Sequence, residues 1–421
     1  MIKILHTADL HLDSPLKSLA LRDEALRDTV QLATRTALAR LVQYGIDEGV
    51  SALLIAGDLF DGKERSAKTA AFLIAQLERL RAAGIAVFYI KGNHDAENPA
   101  AGAFDLPANT HVFDGRGGKV QLEGTDIWIH GVSFRDKHAP ESLLPKYAGP
   151  VEGAVNIGMM HTSLAGAAGH DPYAPCTPGD LAAHGFDYWA LGHVHSRAVH
   201  GTDPWIVMPG TPQGRDIGEA GQKSATLLRI EGTGLEGSGL DGSGIAIEEV
   251  LVGPVAFHHS TCDLTRVELA DLRATLAAHL RAEAAASKSD ATILRLHLTG
   301  QSALAWQLRR DADVWTETIH ELARDTGCLW VEAVRIDVSE PPQTAASPNA
   351  VTELAQIMRA IRAEEGFATQ ARAELDEMIA LLPPERRQAL APDEAGTAAL
   401  LDEITDQAAQ AMLARMKGAV G

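Results

Sequence analysis

The stretch IAVFYIKGNHD, residues 85 to 95, begins as a continuous apolar run and ends abruptly in polar residues. The apolar part is typical of a strand that is buried on both faces. Directly after it come Asn93, His94 and Asp95, whose side chains can bind metal ions or transfer protons. A strand that ends in such residues predicts a functional site at the edge of a sheet.

Apolar runs of this kind recur through the first 230 residues. The predicted buried strands lie at residues 2–5, 51–57, 85–90, 154–160 and 187–192. Helical patterns at about 22–44 and 66–83 separate the first three strands, and the second pattern ends at Gly84. A hairpin-like region at 119–134 adds further strands, with its turn at Gly124. This alternation predicts an α/β layered domain.

The remainder of the chain predicts three further parts. A smaller α/β pattern restarts near residue 252, a Pro/Ser/Ala-rich stretch follows it, and only helical stripes come afterwards. We therefore expect a main domain at 1–250, a small α/β domain at 251–340, a linker at 341–350 and a helical region at 351–421. Within the main domain, the glycine-rich segment 231–244 predicts a flexible loop. The C-terminal helices are expected either to pack on their own protein or to bind a partner.

Composition and charge limit the classes of function. The net charge of −19, from 37 basic and 56 acidic residues, argues against binding duplex nucleic acid through a broad basic face. The apolar runs are shorter than the roughly 18 to 20 residues that a membrane span needs, and the N-terminus shows no export signal. We expect a cytoplasmic protein without membrane contact. The three cysteines form no CxxC pair, so neither a disulfide framework nor a thiolate zinc site is expected.

Polar residues follow all five predicted strands in an ordered series. They are Asp9 and His11, then Asp58, then Asn93, His94 and Asp95, then His161, and finally His193 and His195. Ligands of open α/β sheets bind at the carboxyl ends of strands, so these side chains should meet. Oxygen and imidazole donors without thiolate suit Mn, Fe or Zn in a hydrolytic site. In a metal pair, Asp58 is the natural bridging carboxylate.

The series D-x-H, G-D, G-N-H-D, H and G-H-x-H, spread over about 190 residues, resembles the calcineurin-like metallophosphoesterase superfamily. The longer words ILHTADLHLDSPL, AGDLFD, GNHD, ALGHVH and PGTPQGR are similar to those of the SbcD-type DNA repair exonucleases, and most of all to their YhaO branch. The motifs cover roughly residues 1 to 216. They are more specific for the superfamily than for the nuclease branch.

The resemblance implies a layered sandwich of mixed sheets flanked by helices, with a small α/β capping domain and a helical C-terminal region that docks on an SbcC-like coiled-coil ATPase. It implies two divalent ions, Mn²⁺ first and Fe²⁺ or Zn²⁺ as alternatives. One ion would be held by Asp9, His11, Asp58 and His195, and the other by Asp58, Asn93, His161 and His193. His94 would protonate the leaving oxygen, Asp95 would orient the imidazole of His94, and a hydroxide bridging the metals would attack in line.

Two interpretations remain open for each of four polar residues near the motifs. Asp13 and Asp61 either surround the ligands or have structural roles, and Asp61 stands where some relatives have a histidine. Gln213 and Arg215 either approach a phosphate or base or make ordinary loop contacts. Histidines without a motif position are expected in the core or on the surface; these are His6, His130 and His200.

Three classes of function remain. The first is a metal-dependent phosphodiester hydrolase that acts as a DNA exonuclease or endonuclease in DNA repair. The alternative is a small-molecule phosphodiesterase or phosphatase with the same dimetal site, because site chemistry does not fix the substrate. The third is a non-catalytic scaffold for an ATPase, which the full ligand set argues against. The sequence leaves open the cleavage polarity, the native metals, a homodimer and the identity of the ATPase.

Overall fold

The computed structural model describes residues 1–14, 24–61, 66–97, 105–164, 173–231, 244–341 and 350–419. The glycine-rich loop predicted at 231–244 and the linker predicted at 341–350 lie almost wholly outside these residues. The chain divides into two compact units, Met1–His258 with Ser287–Ile293, and His259–Ala286 with Leu294–Gly421. The finer division into four parts stays a prediction.

The first unit contains twelve strands and five helices among its described residues. In chain order they are β1 Ile2–Thr7, α1 Glu24–Gln31, α2 Ala33–Glu48, β2 Ala52–Ala56, α3 Ala67–Ala82, β3 Ala86–Ile90, α4 Asn93–Glu97, β4 Thr110–Val112, β5 Gly118–Gln121, β6 Ile127–Gly131, β7 Val155–His161, α5 Pro178–Ala183, β8 Tyr188–Gly192, β9 Ala198–Thr202, β10 Trp205–Met208, β11 Ser224–Ile230 and β12 Ile245–Leu251. All five strands predicted from the apolar runs are present.

These strands form two six-stranded mixed sheets. The first has the order β12-β11-β1-β2-β3-β4, and the second has the order β5-β6-β7-β8-β10-β9. β1 to β4 run parallel to one another, as do β6, β7, β8 and β10. The remaining pairings are antiparallel, including the β5–β6 hairpin, whose turn contains Gly124 with a φ of 74°.

The core lies in layers on both faces of the first sheet. Ile4 and Leu54 of that sheet pack with Ile157 of the second sheet. Their neighbours along the strands face the other way, because successive side chains of a strand point to opposite faces. Leu5 therefore packs with Leu38 of α2. The helices, the first sheet and the second sheet are therefore successive layers of an α/β sandwich. This confirms the predicted fold class.

The second unit combines a small sheet with helices, and β13 and β14 begin in the first unit. Its elements are β13 Val255–Asp263, α6 Leu269–Ala286, β14 Ala291–Gln301, α7 Ala305–Arg310, α8 Ala312–Arg324, β15 Leu329–Ser339, α9 Ala350–Arg362, α10 Glu365–Ala380, α11 Pro384–Leu390 and α12 Glu394–Ala419. The sheet order is β13-β14-β15. Leu276 of α6 and Leu296 of β14 share one buried cluster. Arg362 of α9 pairs with Asp402 and Asp406 of α12.

The three cysteines are free thiols. Among the residues that the structure describes, each helix is too short or too polar to cross a bilayer.

Candidate metal centre

The polar series lies at one rim, where the strands β1, β2 and β3 of one sheet and β7 and β8 of the other end. The segments after β1 and β2 continue side by side beyond the sheet. The amide of Asp9 donates to the carbonyl of Gly57 at 3.0 Å, and the amide of His11 donates to the carbonyl of Asp58 at 3.0 Å. These bonds hold the three polar side chains next to one another.

Four of the predicted ligands adopt left-handed backbone conformations. Their φ angles are 54° at Asp9, 41° at His11, 51° at Asp58 and 102° at His193. A residue other than glycine costs about 1 to 3 kcal/mol in such a region and persists only when its surroundings enforce it. Such strain is concentrated at functional sites. The four strained residues at this rim therefore indicate that the rim is the functional site of the domain.

One group of donor atoms consists of Asp9, His11 and His195, whose ligand atoms all lie within 4.8 Å of one another. The Nε2 atoms of His11 and His195 are 3.1 Å apart, and Nε2 of His195 is 3.9 Å from Oδ1 of Asp9. Burial raises the pKa of Asp9 to about 6. Burial also holds the pKa of His11 well below its ordinary value. Without a cation between them, one of these two imidazole nitrogens donates to the other, and the ring tautomers decide which one.

A second group consists of Asp58, His161 and His193, again with ligand atoms within 4.8 Å. Nδ1 of His161 lies 2.9 Å from the carbonyl of Ala56, so the Nδ1–H donates to that oxygen. Nε2 of His161 then faces two acceptors, Oδ1 of Asn93 at 3.0 Å and Oδ2 of Asp58 at 3.4 Å. Only a cation or a proton at Nε2 relieves this crowding of lone pairs.

The protonation of His161 follows from the same geometry. Burial works against a charged imidazole, but the carboxylate of Asp58 and, more weakly, that of Asp9 overcome it and raise the pKa of His161 to about 9. A proton thus takes the place that a metal ion would occupy. Burial similarly disfavours a charged carboxyl at Asp58, yet the neighbouring imidazoles hold the pKa of Asp58 well below its ordinary value.

Asp58 lies between the two groups. Its Oδ2 is 3.4 Å from Nε2 of His161 and 4.0 Å from Nε2 of His11. Its Oδ1 accepts the backbone N–H of His94 at 2.9 Å, which fixes the carboxylate. The structure therefore brings the seven predicted ligands together as two groups with one carboxylate between them.

Two glycines make room for these side chains. A Cβ at Gly92 would lie 2.2 Å from Oδ1 of Asp58, and a Cβ at Gly192 would lie 2.0 Å from the carbonyl of Ala56 and 3.0 Å from Nδ1 of His161. No real Cβ tolerates such contacts. Both positions exclude every other residue type because of close approach.

The donor set fits two divalent cations. Carboxylate oxygens, an amide oxygen and imidazole nitrogens converge on buried positions, and these donors suit Mn, Fe or Zn. Nδ1 of His11 is buried and has no hydrogen-bond partner among the described residues. Within that part of the chain, the ring therefore hydrogen-bonds only through Nε2, which faces His195.

The catalytic candidates are placed differently from each other. The imidazole of His94 is 36% exposed, and its ring centre is 5.0 Å from that of His11. The carboxylate of Asp95 is buried and accepts the backbone N–H groups of Leu59, Phe60 and Gly92 at 3.0 to 3.2 Å. These bonds tie the turn after β2 to the turn after β3.

The role of Asp95 in orienting His94 stays a prediction, and a second carboxylate also lies beside the ring. Oδ1 of Asp61 lies 3.6 Å from Nδ1 of His94. His94 also belongs to a third group of potential ligands with His11 and Asp58, so its role as proton donor stays a prediction. Both oxygens of Asp95 face backbone amides, because α4 begins at Asn93 and turns Asp95 back toward Gly92.

The other residues singled out in the sequence have structural contacts. Asp13 pairs with Arg35 of α2 and accepts the hydroxyl of Thr69 of α3. Gln213 bonds to the backbone at Gly214 and Val255. His6 and His130 are buried and hydrogen-bonded, as expected of core residues, and His200 is exposed.

The sequence did not reveal Glu219. Its Oε1 lies 2.7 Å from Nδ1 of His195, and Arg215 pairs with the same carboxylate at 2.9 Å. Burial favours a neutral Glu219, but the contacts with His195 and Arg215 hold its pKa below the ordinary value. Glu219 follows His195 by 24 positions and belongs to none of the motif words. The only signal was the nearby PGTPQGR segment.

Two family models of known proteins match separate parts of the chain. Residues 2–197 match the family model of the calcineurin-like phosphoesterases, and residues 257–339 match that of the middle domain of metallophosphoesterase YhaO. The uncharacterized metallophosphoesterase YhaO of Bacillus subtilis is 37% identical over 234 residues, which are 54% of this chain and 57% of that protein. The DNA double-strand break repair protein Mre11 of Methanopyrus kandleri is 24% identical over 232 residues, covering 50% of this chain and 49% of that protein.

The chain spans about half the length of the curated relatives it matches. Among solved structures, a dimetal phosphatase from Danio rerio is similar, with a TM-score of 0.37 and 12% identity over 60% of this chain and 99% of that chain. The two family models and the similarity to YhaO of Bacillus subtilis identify residues 2–197 as a calcineurin-like metallophosphoesterase domain and residues 257–339 as a middle domain of the YhaO kind.

Proposed function

We propose that this metallophosphoesterase is a DNA nuclease that hydrolyses phosphodiester bonds with two divalent cations, with Mn²⁺ as the first candidate. The observation that carries the proposal is the pair of donor groups that flank Asp58 at one rim of the sandwich. Membership of the family supports the coarser activity, a metal-dependent phosphoester hydrolase. The substrate, the metal and the residue roles are the parts proposed.

In this proposal each donor group holds one ion. Asp9, His11 and His195 hold the first, and Asn93, His161 and His193 hold the second, with Asp58 contributing to both. When bound, such ions neutralise phosphate oxygens and lower the pKa of a water molecule at the site. The protein's own part is to fix the side chains: the carbonyl of Ala56 accepts Nδ1–H of His161, and the backbone N–H of His94 donates to the carboxylate of Asp58.

His94 supplies the proton. Its imidazole is partly exposed at the rim, within reach of a substrate, whereas the proposed ligand Asn93 on the same turn is buried. An imidazole in this place can protonate the departing alkoxide as the phosphodiester bond breaks. In this proposal the carboxylate that orients the ring is Asp61, whose Oδ1 lies 3.6 Å from Nδ1 of His94.

The choice of DNA rests on the named relatives. Several matched proteins are DNA double-strand break repair proteins, with 24% and 30% identity for those of Methanopyrus kandleri and Sulfurisphaera tokodaii. The net charge of −19 opposes tight binding of duplex through a wide surface. The proposal therefore places the contact with DNA at the metal centre and on a partner.

The test compares substrates in the presence of Mn²⁺. Linear and hairpin DNA, a generic phosphodiester and a phosphomonoester are each incubated with the protein and with the Asn93→Ala variant. We expect DNA to be cleaved, with the cleavage lost in the variant. Cleavage of the small esters alone would favour the small-molecule alternative, and equal inactivity of both proteins would favour a scaffold.

A partner is also proposed. The helices α9, α10 and α12 leave large apolar side chains exposed, among them Ile357, Met378, Leu381 and Met412. We propose that this region docks on a coiled-coil ATPase of the SbcC kind. Deletion of residues 350–421 should abolish co-purification of such an ATPase, and an association that survives the deletion would refute the docking site.

A further inference from the structure

Two histidines of the site differ in what their Nδ1 atoms contact. Nδ1 of His161 faces the neutral carbonyl of Ala56 at 2.9 Å, whereas Nδ1 of His195 faces the carboxylate of Glu219 at 2.7 Å. A carboxylate only accepts hydrogen bonds, so the proton in the second contact belongs to Nδ1 of His195. Nε2 of His195 then carries no proton, and its lone pair faces Nε2 of His11 at 3.1 Å.

Glu219 is itself held rigidly. Its Oε1 accepts Nη2 and Nε of Arg215 at 2.9 and 3.2 Å, and its Oε2 accepts the backbone N–H of Arg215 at 2.8 Å. The side chains of Glu219 and Arg215 are only 15% and 23% exposed. The carboxylate is therefore positioned before any ligand arrives.

Arg215 competes for the same nitrogen. Its Nη2 lies 3.0 Å from Nδ1 of His195. A guanidinium only donates, so it would pair with an unprotonated Nδ1 and leave the ring proton on Nε2. The same imidazole thus has two candidate tautomers, and only the one that Glu219 favours presents a lone pair to the site.

We propose that Glu219 is a positioning residue for one metal position: it keeps the proton of His195 on Nδ1, against the pull of Arg215, so that Nε2 can bind the ion held with Asp9 and His11. This rests on the proposed dimetal centre. The other position, built around His161, is backed by a backbone carbonyl and does not depend on Glu219. The two ions are therefore bound with separately adjustable affinities.

The first measurement is a Mn²⁺ titration of the full chain, with bound metal counted at each concentration. Loss of an outer hydrogen-bond partner of a metal-binding histidine typically weakens binding about 10- to 100-fold. We expect Glu219→Ala to weaken one of two binding steps by this factor and to leave the other unchanged. The double variant Glu219→Ala with Arg215→Met should recover most of the loss, because the competing donor is gone. Glu219→Gln, which keeps an acceptor, should lose less.

The control is Glu48→Ala. Glu48 also pairs with cations, Lys3 and Arg229, but it lies at the end of α2 and contacts no member of the site among the described contacts. Thermal unfolding in EDTA shows whether each variant is folded. Equal weakening of both binding steps, or no recovery in the double variant, would overturn the inference.

The second measurement is independent of metal. ¹⁵N NMR of histidine-labelled, metal-free protein reports which ring nitrogen carries the proton. We expect the Nδ1–H form of His195 in the wild type and the Nε2–H form in Glu219→Ala. The same tautomer in both proteins would refute the role of Glu219. A wild type that binds fewer than two ions would instead refute the proposed dimetal centre, and the NMR result would still decide the role of Glu219.

Discussion

Oδ1 of Asp61 lies 3.6 Å from Nδ1 of His94 and 3.7 Å from Nδ1 of His11, so one carboxylate stands beside two imidazoles of the site. Asp95, the immediate neighbour of His94, is occupied with three backbone amides instead. The residue that can orient His94 therefore comes from the turn after β2, and the residue that joins the two turns comes from α4.

The pairing of Asp61 with His94 predicts the behaviour of three variants. His94→Asn should lower kcat for a DNA phosphodiester, whose alkoxide leaving group needs a proton, by about 10²- to 10⁴-fold, the usual contribution of a general acid. Asp61→Asn should lower it less, by about tenfold. The double variant should resemble His94→Asn alone, because residues that act as a unit are not additive.

Asp126→Asn removes an exposed carboxylate from the β5–β6 turn and is the matched control, with no change expected. Losses that simply multiply in the double variant would show that Asp61 does not act through His94.

The space cleared by Gly192 predicts a stability effect. In Gly192→Ala the new methyl group would meet the carbonyl of Ala56 at 2.0 Å. Overpacking of this kind costs about 1 to 3 kcal/mol or more, and the displaced His161 should also bind metal more weakly. Gly149→Ala is the control, because a Cβ there meets nothing within 4 Å. Unfolding in urea and metal titration measure both effects, and a Gly192→Ala protein as stable and as metal-competent as Gly149→Ala would contradict the packing described.

The protonated state of His161 predicts a pH dependence of metal binding. Burial opposes the charge, but Asp58 and Asp9 raise the pKa of His161 to about 9. Below that pH a metal ion must displace the proton, so the apparent affinity should rise about tenfold for each pH unit up to 9. Calorimetry at pH 7.5 in two buffers of different ionisation enthalpy should show about one proton released at this position. Heats that are identical in both buffers would rule out the displacement.

Most of the fold could be predicted from the sequence because each strand is indicated by a short local pattern. Each buried strand is a continuous apolar run, and the polar residues that follow it lie within five positions of its end. The ligand series was readable for the same reason, since parallel strands deliver their carboxyl ends to one edge.

The residues that contact the ligands could not be predicted from the sequence. Glu219 reaches His195 only because β8, β10 and the turn at Ile217–Glu219 come together in three dimensions. The resemblance implied that Asp95 orients His94, a role that stays a prediction, but the sequence did not reveal that the Asp95 carboxylate accepts three backbone N–H groups. Adjacent residues at the start of a helix point in directions about 100° apart. Side-chain direction, rather than sequence distance, decides these contacts.

We expect this rim to bind two ions, and we expect Asn93 and His94, although adjacent, to have different roles. The most direct measurement is the number of Mn²⁺ ions bound per chain by the wild type, Asn93→Ala, His161→Ala and His94→Ala. We expect two ions for the wild type and for His94→Ala, and one ion for each of the other two variants. Equal loss of metal in all three variants, or fewer than two ions in the wild type, would contradict this expectation.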